Sequence, residues 1–266
     1  MARSGGGSWN GNVMSASSAS RRRILSLWLP HLPIDRIRRQ SIAFSSEVGT
    51  GSRKENASNK IASCDAGQGD FPRVVVAKDH NAILLYAIDE AAVRAGLSIG
   101  LPLANARAIC PELTVYDADE AADRKTLEDV ADWCDRFTPL VALDLPHGLF
   151  LDITGCAHLF GGEAALLRQL TGALTRQGFA VSAAIAATSI CARTLTRAAS
   201  GKIVADGEEA DAVAALPVAA LGAGDAITSG LRRAGLKTIG DVASRGRHEI
   251  TAPNSFATGW MLWKAR

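Results

Sequence analysis

Residues 144–163 read DLPHGLFLDITGCAHLFGGE, and this stretch holds the residues whose types and spacing come nearest to a catalytic motif. Asp152 lies in an apolar run that begins at Leu149, and His147 and Gly148 come directly before that run. Two-metal chemistry on phosphates needs ions about 3.5 to 4 Å apart, held by carboxylate oxygens. Glycine offers no side-chain ligand, and imidazole suits zinc better than magnesium. We therefore predict no magnesium pair here and interpret His147 and Gly148 as a turn before a strand.

A second candidate for chemistry lies nearer the C-terminus, where Leu221-Gly222-Ala223-Gly224 precedes a predicted helix from Asp225 to Ala234. A Gly-x-Gly turn that opens a helix presents backbone N–H groups, which bind phosphate without reading bases. Nearby cationic side chains strengthen this hypothesis, and a plain helical turn is the alternative. The predicted phosphate-binding residues are Gly222, Gly224, Arg232, Arg233, Lys237 and Thr238.

Hydrophobic spacing predicts the elements that must position these residues. Strands are predicted at 24–29, 73–77, 82–87, 149–153 and 180–186. The stretches 123–137 and 164–175 show the i, i+3, i+4, i+7 spacing of helices that pack on a sheet. Further helices are predicted from Asp35, at 89–95 and beyond Ser189. This alternation favours a mixed α/β (α+β) fold.

Composition limits the classes of protein to consider. At 266 residues and 47% hydrophobic content, the chain can bury one large core or two to three small ones. A net charge of +2 does not by itself indicate a nucleic-acid binder. The five cysteines are widely spaced and form no CxxC pair, which favours reduced thiols in a cytoplasmic protein over zinc or disulfides. Since no apolar run approaches about 18 residues, we predict no membrane span and no membrane partner.

Two segments lack hydrophobic periodicity. Residues 1–20 are mostly Gly, Ser, Ala and Asn without the apolar core of a secretory signal, and we predict that they are disordered. Residues 41–70 are rich in Ser, Gly, Asn, Lys and Glu and are predicted to form a flexible insertion. The arginine run at 21–23 is typical of a solvated flank, with phosphate contact as the alternative.

The 144–163 stretch resembles the palm motif of Y-family translesion DNA polymerases, Ser-Ile-Asp-Glu-Ala-Phe-Leu-Asp-Leu-Thr. Phe150 to Thr154 agrees with its tail, while His147 and Gly148 stand where the family has a metal-binding Asp and Glu. The family also opens with a strand that runs into Asp-x-Asp-x-Phe-Phe, and alignment on Ile24 puts Trp28 at its first Asp. The resemblance therefore implies no catalytic residue, no metal and no other cofactor.

Other segments resemble the scaffold of the family more than its chemistry. Residues 100–113 are similar to its Gly-Met-Pro and Leu-Cys-Pro-x-Leu segments, and 221–241 resembles its helix-hairpin-helix thumb. The family's Tyr-x-x-Arg grip on the incoming triphosphate falls on Glu90 and Val93. An acidic side chain repels a triphosphate, so this pocket is also predicted to be lost. Two family lysines that steady template and triphosphate correspond to the helix of Arg193 and Arg197.

The run Leu-Trp-Leu-Pro-x-Leu-Pro at 27–33 looks like one group in particular, the ImuB proteins of bacterial mutagenesis cassettes. The resemblance covers about residues 21–247 and implies a polymerase-like right hand. Its parts are a ferredoxin-like palm (21–30 and 114–200), small fingers (31–113, with the insertion 41–70) and a helical thumb (201–247), with the little finger absent. Residues 248–266 are atypical, and a shifted frame there can encode an amphipathic helix, so we predict a truncating frameshift.

The resemblance implies a non-catalytic adapter in DNA-damage-induced mutagenesis. The implied partners are primer–template DNA, a RecA-related ImuA-type protein and the alpha subunit of an error-prone replicative-type polymerase. A sliding clamp joins them only if the missing C-terminal tail is restored. Two alternatives stay open: an active Y-family polymerase, which would need the three missing carboxylates, and a truncated product without function.

Overall fold

A computed structural model describes residues 22–47 and 71–245, with side chains from 22–40 and 71–245. The predictions for residues 1–20 and 248–266, and for 48–70 of the insertion, lie outside these ranges. The strands are β1 (Ile24–Trp28), β2 (Arg73–Asp79), β3 (Ala82–Ile88), β4 (Thr114–Asp117), β5 (Val141–Asp144), β6 (Gly148–Asp152) and β7 (Ser182–Ala186). The α-helices are α1 (Leu32–Glu47), α2 (Glu90–Arg94), α3 (Leu103–Ile109), α4 (Glu120–Cys134), α5 (Glu163–Arg176), α6 (Ser189–Ala198), α7 (Glu209–Ala214), α8 (Asp225–Arg233) and α9 (Ile239–Ala243).

The larger sheet has the strand order β5-β6-β1-β7, and each neighbouring pair is antiparallel. Helix α4 precedes β5 and β6, and α5 connects β6 to β7, which is the chain order of a ferredoxin-like sheet. Alternate residues Leu25 and Leu27 of β1 are buried with the apolar sides of α4 and α5. The α/β fold class with a ferredoxin-like palm is confirmed.

Helix α6 covers part of the opposite face of this sheet. Ala184 and Ala186 of β7 are fully buried there against Ala192 and Leu195 of α6. The Thr196 hydroxyl donates to the Ser26 carbonyl of β1 over 3.2 Å. Small side chains on β7 let the helix approach the sheet closely, which fixes the position of the α6 side chains beyond it.

The smaller sheet has the order β3-β2-β4, with β2 antiparallel to β3 and parallel to β4. The predicted boundary between fingers and palm fell between residues 113 and 114, but β4 pairs with β2 and therefore lies with the fingers. Parallel pairing joins strands that are distant in sequence, so local periodicity did not indicate this partner.

Helix α1 differs from the prediction at both ends. It begins at Leu32 and not at Asp35, because Pro33 in the first turn needs no hydrogen-bonding N–H. It continues to Glu47, so residues 41–47, predicted as part of a flexible insertion, are helical. Strand β7 begins at Ser182 and not at 180, since the Ala180 N–H donates to the Asp35 carboxylate (2.8 Å) and not to a neighbouring strand.

The C-terminal helices pack on one another and on the larger sheet. Val218, Leu231 and Val242 form a small core among the 3-10 turn at 218–221, α8 and α9. Residues of the predicted thumb also extend the palm, because Ile203 bridges Ile185 in parallel at the β7 edge. No helix within 22–47 and 71–245 has the length and apolarity that a bilayer span requires.

Candidate functional site

The three residues predicted to stand at family metal-ligand positions meet at one end of the larger sheet. Trp28, the last residue of β1, pairs directly with Gly148, the first residue of β6. The Leu29 N–H donates to the His147 carbonyl over 2.9 Å, which holds the preceding turn beside the end of β1. The antiparallel ladder therefore assembles Trp28, His147 and Gly148 although about 120 residues separate the two strands in sequence.

Asp144 fills the space beside Gly148. A Cβ placed on Gly148 would lie 3.0 Å from the Asp144 carbonyl oxygen and 3.2 Å from both its Cβ and its carboxylate Oδ2. Such distances are shorter than ordinary van der Waals contacts between carbon and oxygen. Since the β5 backbone itself is one of the neighbours, position 148 accommodates a side chain only if strand β5 shifts.

Two arginines of α6 supply the charge at this end of the sheet. Arg193 Nε lies 3.0 Å from Asp144 Oδ2, and the Asp144 side chain is only 14% exposed. The guanidinium of Arg197 lies 5.6 Å from the centroid of the Trp28 ring, a cation–π contact. Burial and the charge of Arg193 lower the pKa of Arg197, and Asp144 opposes them. The Asp144 carboxylate is therefore engaged by a cation of the chain itself.

His147 faces the fingers. Its ring lies edge-on to Tyr86 of β3, with 6.4 Å between ring centroids. Burial lowers its pKa and outweighs the charge of Asp123, which raises it. Its Nε2 atom is buried without a hydrogen-bond partner in the described part of the chain. In residues 22–47 and 71–245, no three His, Cys, Asp or Glu side chains cluster as a metal site would require.

Asp152 lies at the far end of β6 from Gly148. It pairs with Ile24, four residues from the Trp28–Gly148 pair, or about 13 Å along the strand. Its carboxylate accepts from the Thr154 N–H (3.0 Å) and from Arg22 Nε (3.3 Å). Burial alone would raise its pKa, but hydrogen bonds from Thr154 and the charge of Arg22 lower it. Asp152 is therefore an ionised carboxylate that bonds to its neighbours and lies far from Trp28, His147 and Gly148.

The Gly-x-Gly turn is present, and its two glycines have different surroundings. Gly222 has φ +65° and its N–H donates to the Ala219 carbonyl over 3.1 Å. The Arg197 guanidinium occupies the space that a Cβ at position 222 would take. Gly224 has φ +88°, caps the N-terminus of α8 and has no atom within 4 Å of a Cβ position. The N-terminus of α8 is thus open at Gly224 and covered at Gly222.

The other predicted phosphate-binding residues lie away from this turn. Arg232 and Arg233 are exposed at the C-terminal end of α8, about 12 Å along the helix from Gly224. Thr238 caps α9, where its hydroxyl accepts from the Asp241 N–H (3.1 Å) in a capping box. Exposed Lys237 precedes it. The six residues form two groups on the thumb, and their contact with DNA stays a prediction.

Glu90 and Val93, aligned with the nucleotide grip of the family, line a cleft of about 420 Å³ together with His31 and Arg94. Val93 is 54% exposed there. These positions on α2 do face an open space next to the start of α1. The carboxylate of Glu90 and the aliphatic side chain of Val93 differ in charge and length from the Tyr and Arg with which they are predicted to align.

Sequence reasoning missed two features of the site. It assigned no role to Asp144, and it did not predict that Arg197 contacts Gly222. The four-residue spacing of Arg193 and Arg197 was the available signal, because i and i+4 residues share one face of a helix. What that face meets depends on how α6 lies on the sheet.

The cysteines that the structure describes form no disulfide. All four in the described ranges, Cys110, Cys134, Cys156 and Cys191, are free thiols. Burial raises the pKa of Cys134 and of Cys191 to about 12, so both stay protonated at neutral pH.

Comparison with known proteins gives related sequences for part of the chain. Residues 68–197 match the impB/mucB/samB family. Protein ImuB of Caulobacter vibrioides (strain NA1000 / CB15N) is 47% identical over 156 residues, which cover 58% of this chain and 34% of that protein. DNA polymerase IV 2 of Mesorhizobium japonicum is 30% identical over 153 residues, covering 56% and 37%. The chain thus aligns with about a third of the length of these curated relatives.

Solved structures share the fold. The insertion ternary complex of Dbh DNA polymerase superimposes with a TM-score of 0.62 at 13% identity, over 86% of this chain and 62% of that one. DinB from Sulfolobus solfataricus gives a TM-score of 0.61 at 13% identity, with the same two coverages. At this level of identity the similarity concerns the fold alone.

Proposed function

Residues 68–197 are an impB/mucB/samB domain of the Y-family polymerase type, and from this premise we propose that the chain is a non-catalytic adapter in DNA-damage-induced mutagenesis. This role follows the similarity of the chain to Protein ImuB. In it, the fold contacts DNA and partner proteins and does not transfer nucleotides.

The main support for this proposal is that Trp28, His147 and Gly148 lie together. In a two-metal site, the facing strand ends would present carboxylate oxygens toward a common point. In this chain the residues there are Trp28, His147, whose imidazole is kept neutral by burial, and Gly148, and none of them has a carboxylate. Asp144, the nearby carboxylate, is paired with Arg193 at 3.0 Å. Local positive charge from Arg193 and Arg197 disfavours binding of divalent cations.

DNA contact is the second part of the proposal. The open N-terminus of α8 at Gly224 offers N–H groups for a phosphate, and Arg232, Arg233 and Lys237 are exposed cations on the same small unit. Such contacts position the protein on DNA without selecting sequence. Since Arg197 covers Gly222, we assign the backbone contact to Gly224 and the N–H groups that follow it.

The protein partners belong to the same proposal. An adapter without chemistry of its own acts by bringing other proteins to damaged DNA. The partners implied by the family resemblance are a RecA-related ImuA-type protein and an error-prone replicative-type polymerase alpha subunit.

Primer extension tests the central claim. Purified chain is mixed with a primed template, all four deoxynucleotides, and either magnesium or manganese. We expect no extended product, because the described part of the chain brings no set of three carboxylates together to hold the ions. Extension that disappears in the variant Asp144→Asn, which changes the carboxylate beside Gly148, would refute the adapter proposal and favour an active polymerase. A chain that neither extends primers nor binds primer–template DNA favours a product without function.

A further inference from the structure

A groove between α4 and α5 lies on the helical face of the palm, opposite the face that carries Trp28. Its volume is about 470 Å³, within the range of sites that hold ligands or anchor side chains. None of the features assigned to DNA contact lies on this face. The groove is therefore a separate surface that the adapter proposal does not use.

The groove is basic. Arg136, at the end of α4, and Arg168 and Arg176, on α5, line it, and within the described ranges no Asp or Glu does. None of the three arginines makes an ion pair there with a described residue: the Arg136 Nε donates instead to the Trp133 carbonyl over 2.9 Å. Arg168 and Arg176 are exposed and about 12 Å apart along α5. The arginines thus place positive charge along two turns of α5 and at the end of α4.

The groove also has an aromatic wall. The Trp133 and Phe137 rings lie 5.5 Å apart, and Phe137 is 5.3 Å from Phe160. Ala173 on α5 also lines the groove, and its small side chain leaves room for a bulky anchor residue. Apolar walls and a charged rim are the pattern of a peptide-binding surface.

We infer that this groove docks an acidic peptide segment of a partner protein, with an apolar side chain inserted beside Trp133 and carboxylates on Arg136, Arg168 and Arg176. Charge complementarity argues for an anionic partner, and the aromatic wall argues against a nucleic acid. Bases stack on open aromatic faces, whereas the guanidinium of Arg136 lies 4.4 Å from the Trp133 ring centroid and Phe137 is only 9% exposed.

A random 16-residue peptide library displayed on phage, selected on the full 266-residue chain, tests the inference. Phage that also bind the charge-reversed variant Arg168→Glu/Arg176→Glu are discarded, because they recognise other surfaces of the chain. We expect the remaining sequences to combine Asp or Glu with Trp, Phe or Leu. A synthetic, fluorescein-labelled peptide of the most enriched sequence should bind the wild-type chain at least tenfold more tightly than the double variant, since rim charges steer and orient the ligand. Enriched sequences without acidic residues overturn the inference.

A matched control separates the groove from general positive charge. Arg107→Glu/Lys202→Glu removes the same charge at two exposed residues outside the groove and should leave peptide affinity within twofold of wild type. An equal loss in both double variants refutes a specific groove. A 16-nucleotide oligo-dT is tested as a competitor. If it displaces the peptide and does not bind Arg168→Glu/Arg176→Glu, the groove binds nucleic acid and the inference is wrong. Self-association lost in that variant assigns it to a second copy.

Discussion

The Arg197 side chain of α6 lies against both Trp28 of the palm and Gly222 of the thumb. Its guanidinium sits 5.6 Å from the indole centroid and fills the space beside the Gly222 Cα. One residue thus joins the strand end aligned with a family metal ligand to the turn predicted to bind phosphate. This contact couples the conformation of the thumb turn to the palm.

Gly222 and Gly224 should lose stability on replacement by alanine for different reasons. At Gly222 (φ +65°, ψ +33°), alanine enters the left-handed region at about 1 to 2 kcal/mol and its Cβ displaces the Arg197 guanidinium. At Gly224 (φ +88°, ψ +155°), the Cβ position is open, but the backbone lies in a region almost confined to glycine, which costs about 1 to 3 kcal/mol. Urea denaturation followed by circular dichroism measures both losses in the wild-type and Arg197→Ala backgrounds. Arg197→Ala should reduce the loss caused by Gly222→Ala and leave that of Gly224→Ala unchanged, and an equal effect on both would contradict the contact.

Gly148 should tolerate no side chain. We expect Gly148→Ala to lower the free energy of unfolding by about 1 to 3 kcal/mol, because its Cβ would lie 3.0 Å from the Asp144 backbone oxygen. The matched control is Gly230→Ala in α8, where the Cβ position is open. That change should stabilise by about 0.5 to 1 kcal/mol. If Gly148→Ala also stabilises, strand β5 yields readily and position 148 is not sterically closed.

The buried ion pair between Arg36 and Asp123 should hold α1 on α4. Arg36 Nε donates to Asp123 Oδ1 over 2.6 Å, and both side chains are under 10% exposed. Arg36→Met leaves a buried carboxylate without its cation and should cost about 3 to 5 kcal/mol. Arg36→Met/Asp123→Leu removes both charges and should be considerably more stable than the single variant. A double variant as unstable as Arg36→Met would show that packing, and not charge, dominates.

The stability of the chain should fall below pH 6.5 in a way that depends on His147. Burial lowers the folded-state pKa of this imidazole from its ordinary value of 6.5, so the unfolded chain takes up the proton first as the pH falls. Its stabilising contribution is complete above pH 6.5 and declines from there down to the folded-state pKa, by at most about 1.4 kcal/mol per pH unit. Urea denaturation between pH 5 and 8 measures it.

His147→Gln should flatten this part of the pH dependence. His158→Gln, which changes an exposed histidine on the same domain, should leave the wild-type profile unchanged. Identical profiles for wild type and His147→Gln would show that the buried imidazole does not control the decline.

DNA binding should depend steeply on salt and on the arginines of α8. We expect the affinity for primer–template DNA to fall as salt rises, because phosphate contacts release counterions. Arg232→Gln/Arg233→Gln removes two such contacts and should reduce the slope of log K against log salt by about 2. Fluorescence anisotropy at 50 to 200 mM salt measures the slope. The control Arg107→Gln/Lys202→Gln should keep the wild-type slope, and an affinity insensitive to salt would contradict phosphate contact.

Local patterns in the sequence determined most of the larger sheet. Short apolar runs predicted β1, β6 and β7, and helical spacing predicted α4 and α5 to within a few residues. These elements fall where expected because the length and spacing of their apolar residues are properties of neighbouring residues alone. The Gly-x-Gly turn also followed from sequence, since positive φ at Gly222 and Gly224 favours glycine. The sequence also predicted that Trp28, His147 and Gly148 stand at the family metal positions, and the structure brings these three residues together at one end of the sheet.

Only the tertiary structure decided what surrounds those residues. The parallel pairing of β4 with β2, the position of Asp144 beside Gly148 and the reach of Arg197 to Gly222 each join segments that lie far apart along the chain or belong to different elements. The arginines of α4 and α5 likewise form one groove only because both helices pack side by side on the sheet. Periodicity shows which face of an element is buried, but it does not show which element packs against that face. That choice depends on shape, charge and the order of strands, which are properties of the packed chain.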